Sequence, residues 1–111
     1  MKTERRDRRS WSLEGASLLL PDVRARTERA VTRIERLEAA GPERGGAVQE
    51  EILRVVSAWV REMEALGVEV EGPWFVDFES GTGAYCWRWP ERELCHFHEE
   101  GQDCSDRVRI Q

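Results

Sequence analysis

Hydrophobic positions in the first part of the chain recur every three or four residues, which is the periodicity of amphipathic helices. Ser12 is placed to cap a short helix over Leu13–Leu20, and Pro21 suits the first turn of the helix that follows. The helix after Pro21 and the next amphipathic helix, joined by a short loop, are expected to pack as an antiparallel hairpin. The two apolar stripes comprise Val23, Thr27, Ala30, Ile34 and Leu37, and then Val48, Ile52, Val56, Trp59, Met63 and Leu66.

Beyond the second stripe the hydrophobic period changes to two, which is typical of half-buried β-strands. Turn signals at Gly72-Pro73, at 81–83 and at Pro90-Glu91 separate the alternating segments. The sequence therefore predicts an α+β fold. In this fold an N-terminal antiparallel helical hairpin (12–66) packs on a small C-terminal antiparallel β-meander (67–111).

Charge is distributed unevenly along the 111-residue chain, whose formal net charge is -5. Residues 1–9 carry five basic and two acidic side chains, so the rest of the chain is more acidic than the total indicates. We expect residues 1–11 to form a basic, flexible tail that precedes one domain over 12–111. Because the body of the chain is acidic, we do not expect it to bind nucleic acid.

The sequence shows no signal for export or for insertion into a membrane. Its uninterrupted apolar runs, such as Leu18–Leu20, are far shorter than the roughly 20 residues of a membrane span. Met1–Ser10 is charged and no apolar segment of the secretory type follows it, so we expect a cytoplasmic protein. Cys86, Cys95 and Cys104 form an odd set of cysteines, which in that compartment favours thiols or metal ligands over disulfides.

The turn at Pro90-Glu91 determines which side chains share a face of the last two long strands. If that dipeptide is the centre of a tight hairpin, Cys86 lies opposite Cys95. His96 and His98 then point to the other face, because successive side chains of a strand alternate. We therefore expect the thiols and the imidazoles on opposite sides of the sheet.

This register bears on whether the protein is an enzyme. Cys86 is the candidate nucleophile, with His98 as its base and Asp77 as the third group. Since the expected register separates Cys86 from His98, we expect a protein that is not an enzyme. Cys86 and Cys95, as cross-strand neighbours, are either inert buried thiols or a pair able to oxidise or hold a soft metal.

The His96-Phe97-His98 unit is a candidate metal-binding motif. On a strand its two rings project to the same side about 7 Å apart, a spacing that suits bidentate capture of a metal ion. A third ligand can come from the following loop, where Glu99, Glu100, Asp103 and Cys104 are the candidates. The set that includes the thiol is His96, His98 and Cys104, and such ligands favour zinc. The alternative is a surface-facing histidine pair whose rings are held by hydrogen bonds, with no cofactor.

Tryptophan is the other unusual component of the last third. Trp74, Trp87 and Trp89, with Tyr85, either pack against the helices or form a stacking surface for a partner. Our leading hypothesis for function is a non-enzymatic interaction or binding module that recognises a protein partner through this surface and the histidines. The alternative is a small zinc-binding protein. A homodimer formed through the helices is a second way to use the apolar stripes.

Several short motifs occur in a fixed order in this chain: Val76-Asp77-Phe78, Tyr85-Cys86-Trp87-Arg88, Glu91, Phe97-His98-Glu99, Gly101 and Arg107. This order resembles the DUF2203 family of small bacterial and archaeal proteins. Three residues depart from the family pattern, namely Glu79, Pro90 and Phe97. The resemblance implies a shared fold and marks positions of interest without supplying a reaction. Those positions are Asp77, Cys86, Trp87, Glu91, His98 and Arg107.

Four of these positions, Asp77, Glu91, His98 and Arg107, are expected to form a polar cluster at one end of the sheet. The cluster is either structural or a binding site. In the structural interpretation, Glu91 bonds the backbone of its own turn and Arg107 pairs with Asp77.

Overall fold

The computed structural model describes residues 10–41, 46–102 and 104–110, except for the side chain of Cys104. Most of the expected basic tail and most of the expected loop between the helices lie outside the described residues. Helices and strands follow one another in the predicted order. They are α1 (Leu13–Ala40), α2 (Gly46–Leu66), β1 (Glu69–Gly72), β2 (Phe75–Glu79), β3 (Gly83–Arg88), β4 (His96–Glu99), a 3-10 turn (Cys104–Asp106) and β5 (Val108–Arg109).

Helix α1 is continuous, so the predicted break before Pro21 is wrong. Ser12 caps the helix as expected, because its Oγ accepts a hydrogen bond from the backbone nitrogen of Gly15 at 2.9 Å. A proline inside a helix costs about 3 kcal/mol in lost hydrogen bonding and steric clash. Here Pro21 lies on the exposed side, and the apolar stripe runs on without interruption. The buried residues of this stripe are Ala16, Leu20, Val23, Thr27 and Ala30.

The seam between the two helices contains a buried hydrogen bond. Thr27, a polar residue within the apolar stripe of α1, is fully buried and its Oγ1 donates to the carbonyl oxygen of Val23 at 2.8 Å. The same Oγ1 accepts the indole Nε1–H of Trp59 from α2 at 2.9 Å. The stripes that we considered for a homodimer therefore contact each other within the chain. A homodimer formed through the helices stays a prediction.

The five strands form one antiparallel sheet in the order β1-β2-β3-β4-β5, which confirms the predicted α+β fold with its helical hairpin and β-meander. One face of the sheet packs on the helices. Val76, Phe78 and Trp87 from this face join Trp59 and Met63 in the hydrophobic core. Among the described residues, neither helix is long and apolar enough to cross a membrane.

Trp11, which the sequence analysis assigned to the flexible tail, is anchored to the sheet. Its backbone nitrogen donates to the carbonyl oxygen of Glu79 at 2.6 Å, and its indole Nε1 donates to the carbonyl oxygen of Gly67 at 3.1 Å. Its ring packs edge-on against Phe78, with the ring centroids 5.5 Å apart. The folded part of the chain therefore includes Trp11.

The predicted pairing of β3 with β4 is wrong by one residue. Cys86 lies opposite His96, and Ala84 lies opposite His98. The tight turn lies one residue earlier than predicted, where the backbone nitrogen of Glu91 donates to the carbonyl oxygen of Arg88 at 2.8 Å, and it is part of a longer connection over 89–95. Because side chains alternate along a strand, a shift of one residue moves a whole strand face to the other side of the sheet. The imidazoles and the Cys86 thiol consequently share one face.

Hydrogen bonds from β3 and from more distant residues hold the connection over 89–95 in place. The carbonyl oxygen of Glu91 accepts from the Trp87 indole at 2.8 Å and from Nε of Arg24, on α1, at 3.0 Å. The backbone nitrogen of Trp89 donates to the carbonyl oxygen of Trp74 at 2.9 Å. These bonds draw the connection toward the helices, which a two-residue turn would not permit.

The tryptophans of the sheet lie on the helix side and pack against the core. Trp87 is fully buried, and Trp74 packs edge-on against Trp59, with 4.8 Å between ring centroids. Trp89 packs against Trp87, and the guanidinium of Arg24 lies 5.3 Å from the centroid of its ring. Their main contacts are therefore with the core.

The buried bond between the helices predicts the effect of Thr27→Val. The substitution keeps the side-chain volume but leaves the Trp59 indole without its acceptor, which costs about 1–3 kcal/mol for a buried donor. We expect the free energy of unfolding, measured by urea denaturation, to fall by that amount. Thr32→Val on the half-buried part of the same helix is the control and should change it little.

Candidate functional site

The sheet face opposite the helices brings together a carboxylate, a thiol and an imidazole. Asp77 on β2, Cys86 on β3 and His98 on β4 are 3%, 0% and 7% exposed. The Cys86 Sγ donates to Oδ1 of Asp77 at 3.1 Å, and Nε2 of His98 lies 2.9 Å from Oδ2 of the same carboxylate. We call these three residues the Asp-Cys-His cluster.

Strand register explains how three separate strands meet in this cluster. Asp77 and Cys86 are direct cross-strand neighbours, so their side chains project side by side. His98 lies opposite Ala84, which is fully buried and has only a methyl group. The small side chain leaves room for the imidazole to extend across β3 to Asp77.

Gly83 allows β3 and β4 to approach each other closely at this point. A Cβ at position 83 would lie 2.2 Å from the carbonyl oxygen of His98 and 2.7 Å from Cζ of Phe97. Neither distance is compatible with van der Waals radii. Glycine at this position is therefore a condition for the placement of His98.

The hydrogen bonds of His98 indicate its protonation state. Its Nδ1 lies 3.1 Å from the carbonyl oxygen of Glu99, which only accepts, so Nδ1 carries a proton. Its Nε2 lies 2.9 Å from Oδ2 of Asp77, and in the charged form of the ring, with both nitrogens protonated, it donates to that carboxylate. Burial disfavours this charged form, but the bonds to Asp77 and to Glu99 outweigh it and raise the pKa of His98 above its ordinary value.

A second carboxyl group adjoins the cluster from the edge strand β1. Burial, followed by the neighbouring carboxylate of Asp77, raises the pKa of Glu71. The charge of Glu69 acts in the same direction. Negative charge is thus concentrated on the side of the cluster formed by β1 and β2.

The geometry does not match an activated cysteine nucleophile. A base must contact the nucleophile, yet here the Asp77 carboxylate lies between the thiol of Cys86 and the ring of His98. Cys86 is also fully buried, so a substrate cannot reach its sulfur without rearrangement of the sheet. The predicted separation of Cys86 and His98 onto opposite faces is wrong, but the arrangement still does not place the thiol against the imidazole.

The cluster does match a set of metal ligands. One oxygen of Asp77, Sγ of Cys86 and one ring nitrogen of His98 all lie within 4.8 Å of one another. A thiolate, an imidazole and a carboxylate are ligands of zinc and similar transition metals. Among the described residues, this is the group in which at least three such side chains bring their ligand atoms close enough together to hold a metal ion.

Of the metal set predicted from the sequence, His96, His98 and Cys104, the structure places His98 in the Asp-Cys-His cluster. His96 and His98 share a face, as expected, but the cluster contains His98 without His96. Burial, followed by the charge of Arg107, lowers the pKa of His96, whereas that of His98 is raised. The side chain of Cys104 lies outside the description.

A separate ion pair lies nearer the connection over 89–95. Nη2 of Arg107 donates to Oε2 of Glu91 at 2.7 Å, so the expected pairing of Arg107 with Asp77 is wrong. Oε1 of Glu91 accepts from the backbone nitrogen of Arg88 at 3.0 Å, the contact with its own turn that the sequence suggested. Nδ1 of His96 lies 3.9 Å from the same carboxylate. This pair connects the C-terminal segment to the connection over 89–95.

A comparison with protein families bears on these positions. The family described as "Uncharacterized conserved protein (DUF2203)" matches residues 9–110, nearly the whole chain. The chain belongs to the DUF2203 family. Neither the curated proteins nor the solved structures yielded a match.

The DUF2203 positions marked by the sequence separate into two groups in the structure. The first group is the Asp-Cys-His cluster, Asp77, Cys86 and His98. The second comprises Trp87, Glu91 and Arg107, in which Glu91 accepts from both of the others. The single polar cluster that we expected is therefore two clusters with different surroundings.

Two contributors to the site were not identified from the sequence. Glu71 had no motif to mark it, and Gly83 was interpreted only as part of a turn. The signal that would have revealed both is the correct register of the sheet. That register places Glu71 next to β2 and shows that Gly83 faces the backbone of β4.

The close approach of β3 and β4 predicts that Gly83→Ala disrupts the Asp-Cys-His cluster. The added methyl group must displace the backbone at His98, and overpacking of this kind costs typically about 1–3 kcal/mol. We expect a lower free energy of unfolding and faster hydrogen exchange at the β4 amides. Gly72→Ala is the control, because a Cβ there has nothing within 4 Å.

The raised pKa of His98 predicts a pH dependence of stability in the protein treated with a chelator. A group whose pKa is raised in the folded state stabilises the folded protein fully at pH values below its unfolded pKa, here 6.5. That stabilisation is lost as the pH rises through the folded pKa. The free energy of unfolding should therefore decrease as pH rises above 6.5. His98→Asn should remove this slope. His96→Asn should retain it, because the pKa of His96 is lowered and it titrates below this window.

Proposed function

We propose that this DUF2203 chain binds a divalent transition metal of the zinc type through Asp77, Cys86 and His98. The observation that carries the proposal is the convergence of three different ligand atoms within 4.8 Å of one another, all on buried side chains. The residues come from three neighbouring strands, so the backbone holds each ligand in position. A metal ion would join these strands at one point.

The chemistry of the ligands favours zinc, cobalt(II) or iron(II) over calcium and magnesium. Calcium and magnesium prefer sets composed entirely of oxygen ligands. Cys86 and His98 instead supply sulfur and nitrogen, which suit borderline and soft transition metals. Copper(I) favours thiolate and thioether sets, and this cluster has one sulfur ligand.

In the hydrogen-bonded, metal-free form, the protons shared with Asp77 lie where the proposed metal ion would bind. The Cys86 thiol and the His98 ring both donate to Asp77, with heavy-atom distances of 3.1 and 2.9 Å. In a tetrahedral zinc site, ligand atoms lie roughly 3.5 Å apart, so a small movement of the side chains accommodates the ion. Binding would release the thiol proton and the Nε2 proton, which makes the affinity dependent on pH.

The electrostatic surroundings also support a cation at this position. The carboxyl groups of Glu71 and Glu69 lie close enough to influence each other, and both flank Asp77. A divalent ion would relieve the repulsion among these acidic groups. This gain would add to the energy of the ligand bonds themselves.

The interaction-module hypothesis has less exposed aromatic surface to draw on than the sequence suggested. Trp87 is fully buried, and Trp74 and Trp89 pack on the core. A role in protein recognition stays a prediction without an assigned surface. The zinc-binding alternative is therefore our proposal. It keeps His98 as a ligand, and Asp77 and Cys86 replace the predicted His96 and Cys104.

Titration of the untagged, full-length chain with cobalt(II) and zinc tests the proposal. We expect one equivalent to bind, and the cobalt(II) form should show the intense charge-transfer absorption of a thiolate ligand. Cys86→Ser should abolish that absorption. Cys95→Ser is the matched control, because Cys95 is also a buried free cysteine but is not in the cluster.

A second pair of variants discriminates between the two sets of ligands. His98→Asn should weaken binding by at least about a hundredfold, since a direct ligand should contribute no less than the groups around it. His96→Asn and Cys104→Ser should bind as the parent chain does. Circular dichroism must show that each variant is folded. Failure of the parent chain to bind either metal stoichiometrically, or equal loss in the His96 and His98 variants, would contradict the proposal.

A further inference from the structure

A cavity of about 430 Å³ lies between the first turns of α1 and the end of the connection over 89–95. Its volume falls in the range of small-molecule sites, which is about 300–1,000 Å³. The cavity borders α1, whereas the Asp-Cys-His cluster lies on the sheet face opposite the helices. The cavity and the proposed metal site are therefore separate.

The inner wall of the cavity is apolar. Leu20 and Leu94 border it, and both belong to the hydrophobic core, with 4% and 6% of their surface exposed. Leu13 and Pro21 border the same cavity from exposed positions on α1. An apolar group placed against these side chains would remove their surface from water, which is favourable. The cavity can therefore hold the hydrocarbon part of a ligand.

Two guanidinium groups border the cavity as well. Arg24 is held in place by the bond from its Nε to the carbonyl oxygen of Glu91 at 3.0 Å and by the ring of Trp89, whose centroid lies 5.3 Å from Cζ. Within the described residues its hydrogen bond is made through Nε, so its two Nη groups are left as donors. Arg92 is exposed and forms no ion pair with another described residue.

The charge around the cavity is positive, in contrast to the chain as a whole, whose formal net charge is -5. Among the described residues that border the cavity, Glu93 is the one acid, so two positive charges face one negative charge. The planar fork of a guanidinium matches the two oxygens of a carboxylate. An anion of this shape is therefore favoured at the arginines.

We propose that this cavity binds a small amphipathic carboxylate. The carboxylate lies at Arg24 and Arg92, and the hydrocarbon part lies against Leu20 and Leu94. A compact anion such as inorganic phosphate would leave the apolar wall in contact with water, and a neutral apolar ligand would leave the arginines unused. A monocarboxylate with a chain of several methylene groups satisfies both parts of the cavity.

Titration of the chelator-treated, full-length chain with hexanoate, heptanoate and octanoate tests the proposal. The affinity should rise by about fourfold for each added methylene group, as expected when a CH₂ group is fully buried. In ¹H–¹⁵N NMR spectra the shift changes should centre on residues 92–95 and on the first turns of α1. Inorganic phosphate should bind much more weakly than octanoate.

Neutralisation of one guanidinium tests the recognition of the carboxylate. Arg92→Gln should weaken octanoate binding by about tenfold, which is typical for loss of a hydrogen bond to a charged group. It should leave the weaker binding of octanamide, a neutral ligand of the same length, unchanged. Arg61→Gln is the matched control, because Arg61 is an exposed arginine of α2 that does not border the cavity.

A second pair of variants tests the location of the site. Ser17 borders the cavity from an exposed position on α1, so the ring of Ser17→Phe should fill the cavity and abolish octanoate binding. Ser57→Phe is the control, because Ser57 is exposed on α2 and does not border the cavity. Circular dichroism must show that both variants are folded.

The proposal is overturned if the parent chain does not bind octanoate, or if octanamide binds as tightly as octanoate. Equal loss of affinity in Arg61→Gln and Arg92→Gln, or equal binding by Ser17→Phe and Ser57→Phe, would also overturn it. Arg92→Gln should bind cobalt(II) as the parent chain does. The carboxylate site and the metal site are thus tested independently of each other.

Discussion

The carboxylate of Asp77 organises the outer face of the sheet. One of its oxygens accepts from the Cys86 thiol and the other faces the His98 ring, so groups from three strands meet at one side chain. A buried carboxylate is costly unless its hydrogen-bonding capacity is satisfied. These bonds require β2, β3 and β4 to hold a single register, since a shift of one residue would direct a different side chain toward Asp77. The site and the strand register therefore depend on each other.

The two faces of the sheet are stabilised by different physical effects. On the helix side, Trp59, Met63, Phe78 and Trp87 bury apolar surface, and the buried bond from Trp59 to Thr27 specifies how the helices align. On the outer side, hydrogen bonds and charge hold the Asp-Cys-His cluster. The core thus supplies a rigid support on which ligand side chains are placed precisely.

The overall fold could be predicted because its signals are local. The three- and four-residue spacing of α1 and α2 and the alternation of the strands are visible in any short window, and the order of elements follows from them. The predicted break at Pro21 failed because the buried stripe of α1 continues through an exposed proline. The tendency of Pro21 to interrupt a helix was outweighed by the packing of the apolar stripe along the whole of α1.

The site could be predicted only as a set of residues, because its geometry depends on contacts that are distant in sequence. Asp77, Cys86 and His98 were recognised as unusual, but their arrangement required the pairing of β3 with β4. The connection between these strands is held by contacts such as the bond from Arg24 to the carbonyl of Glu91, across 67 positions. Glu71 escaped notice for the same reason, since its position relative to Asp77 arises from a bulge in the folded sheet.

The connection over 89–95 has a consequence for how such chains diverge during evolution. Loops usually tolerate insertions and deletions, and their lengths drift among relatives. Here the contacts of Trp87, Trp89 and Glu91 fix where the connection begins, so one added or lost residue would pass directly into β4. The histidines would then point at the helices. Relatives that keep the cluster should therefore show a conserved spacing from Cys86 to His98, or a compensating bulge, in a part of the chain where length is ordinarily free to vary.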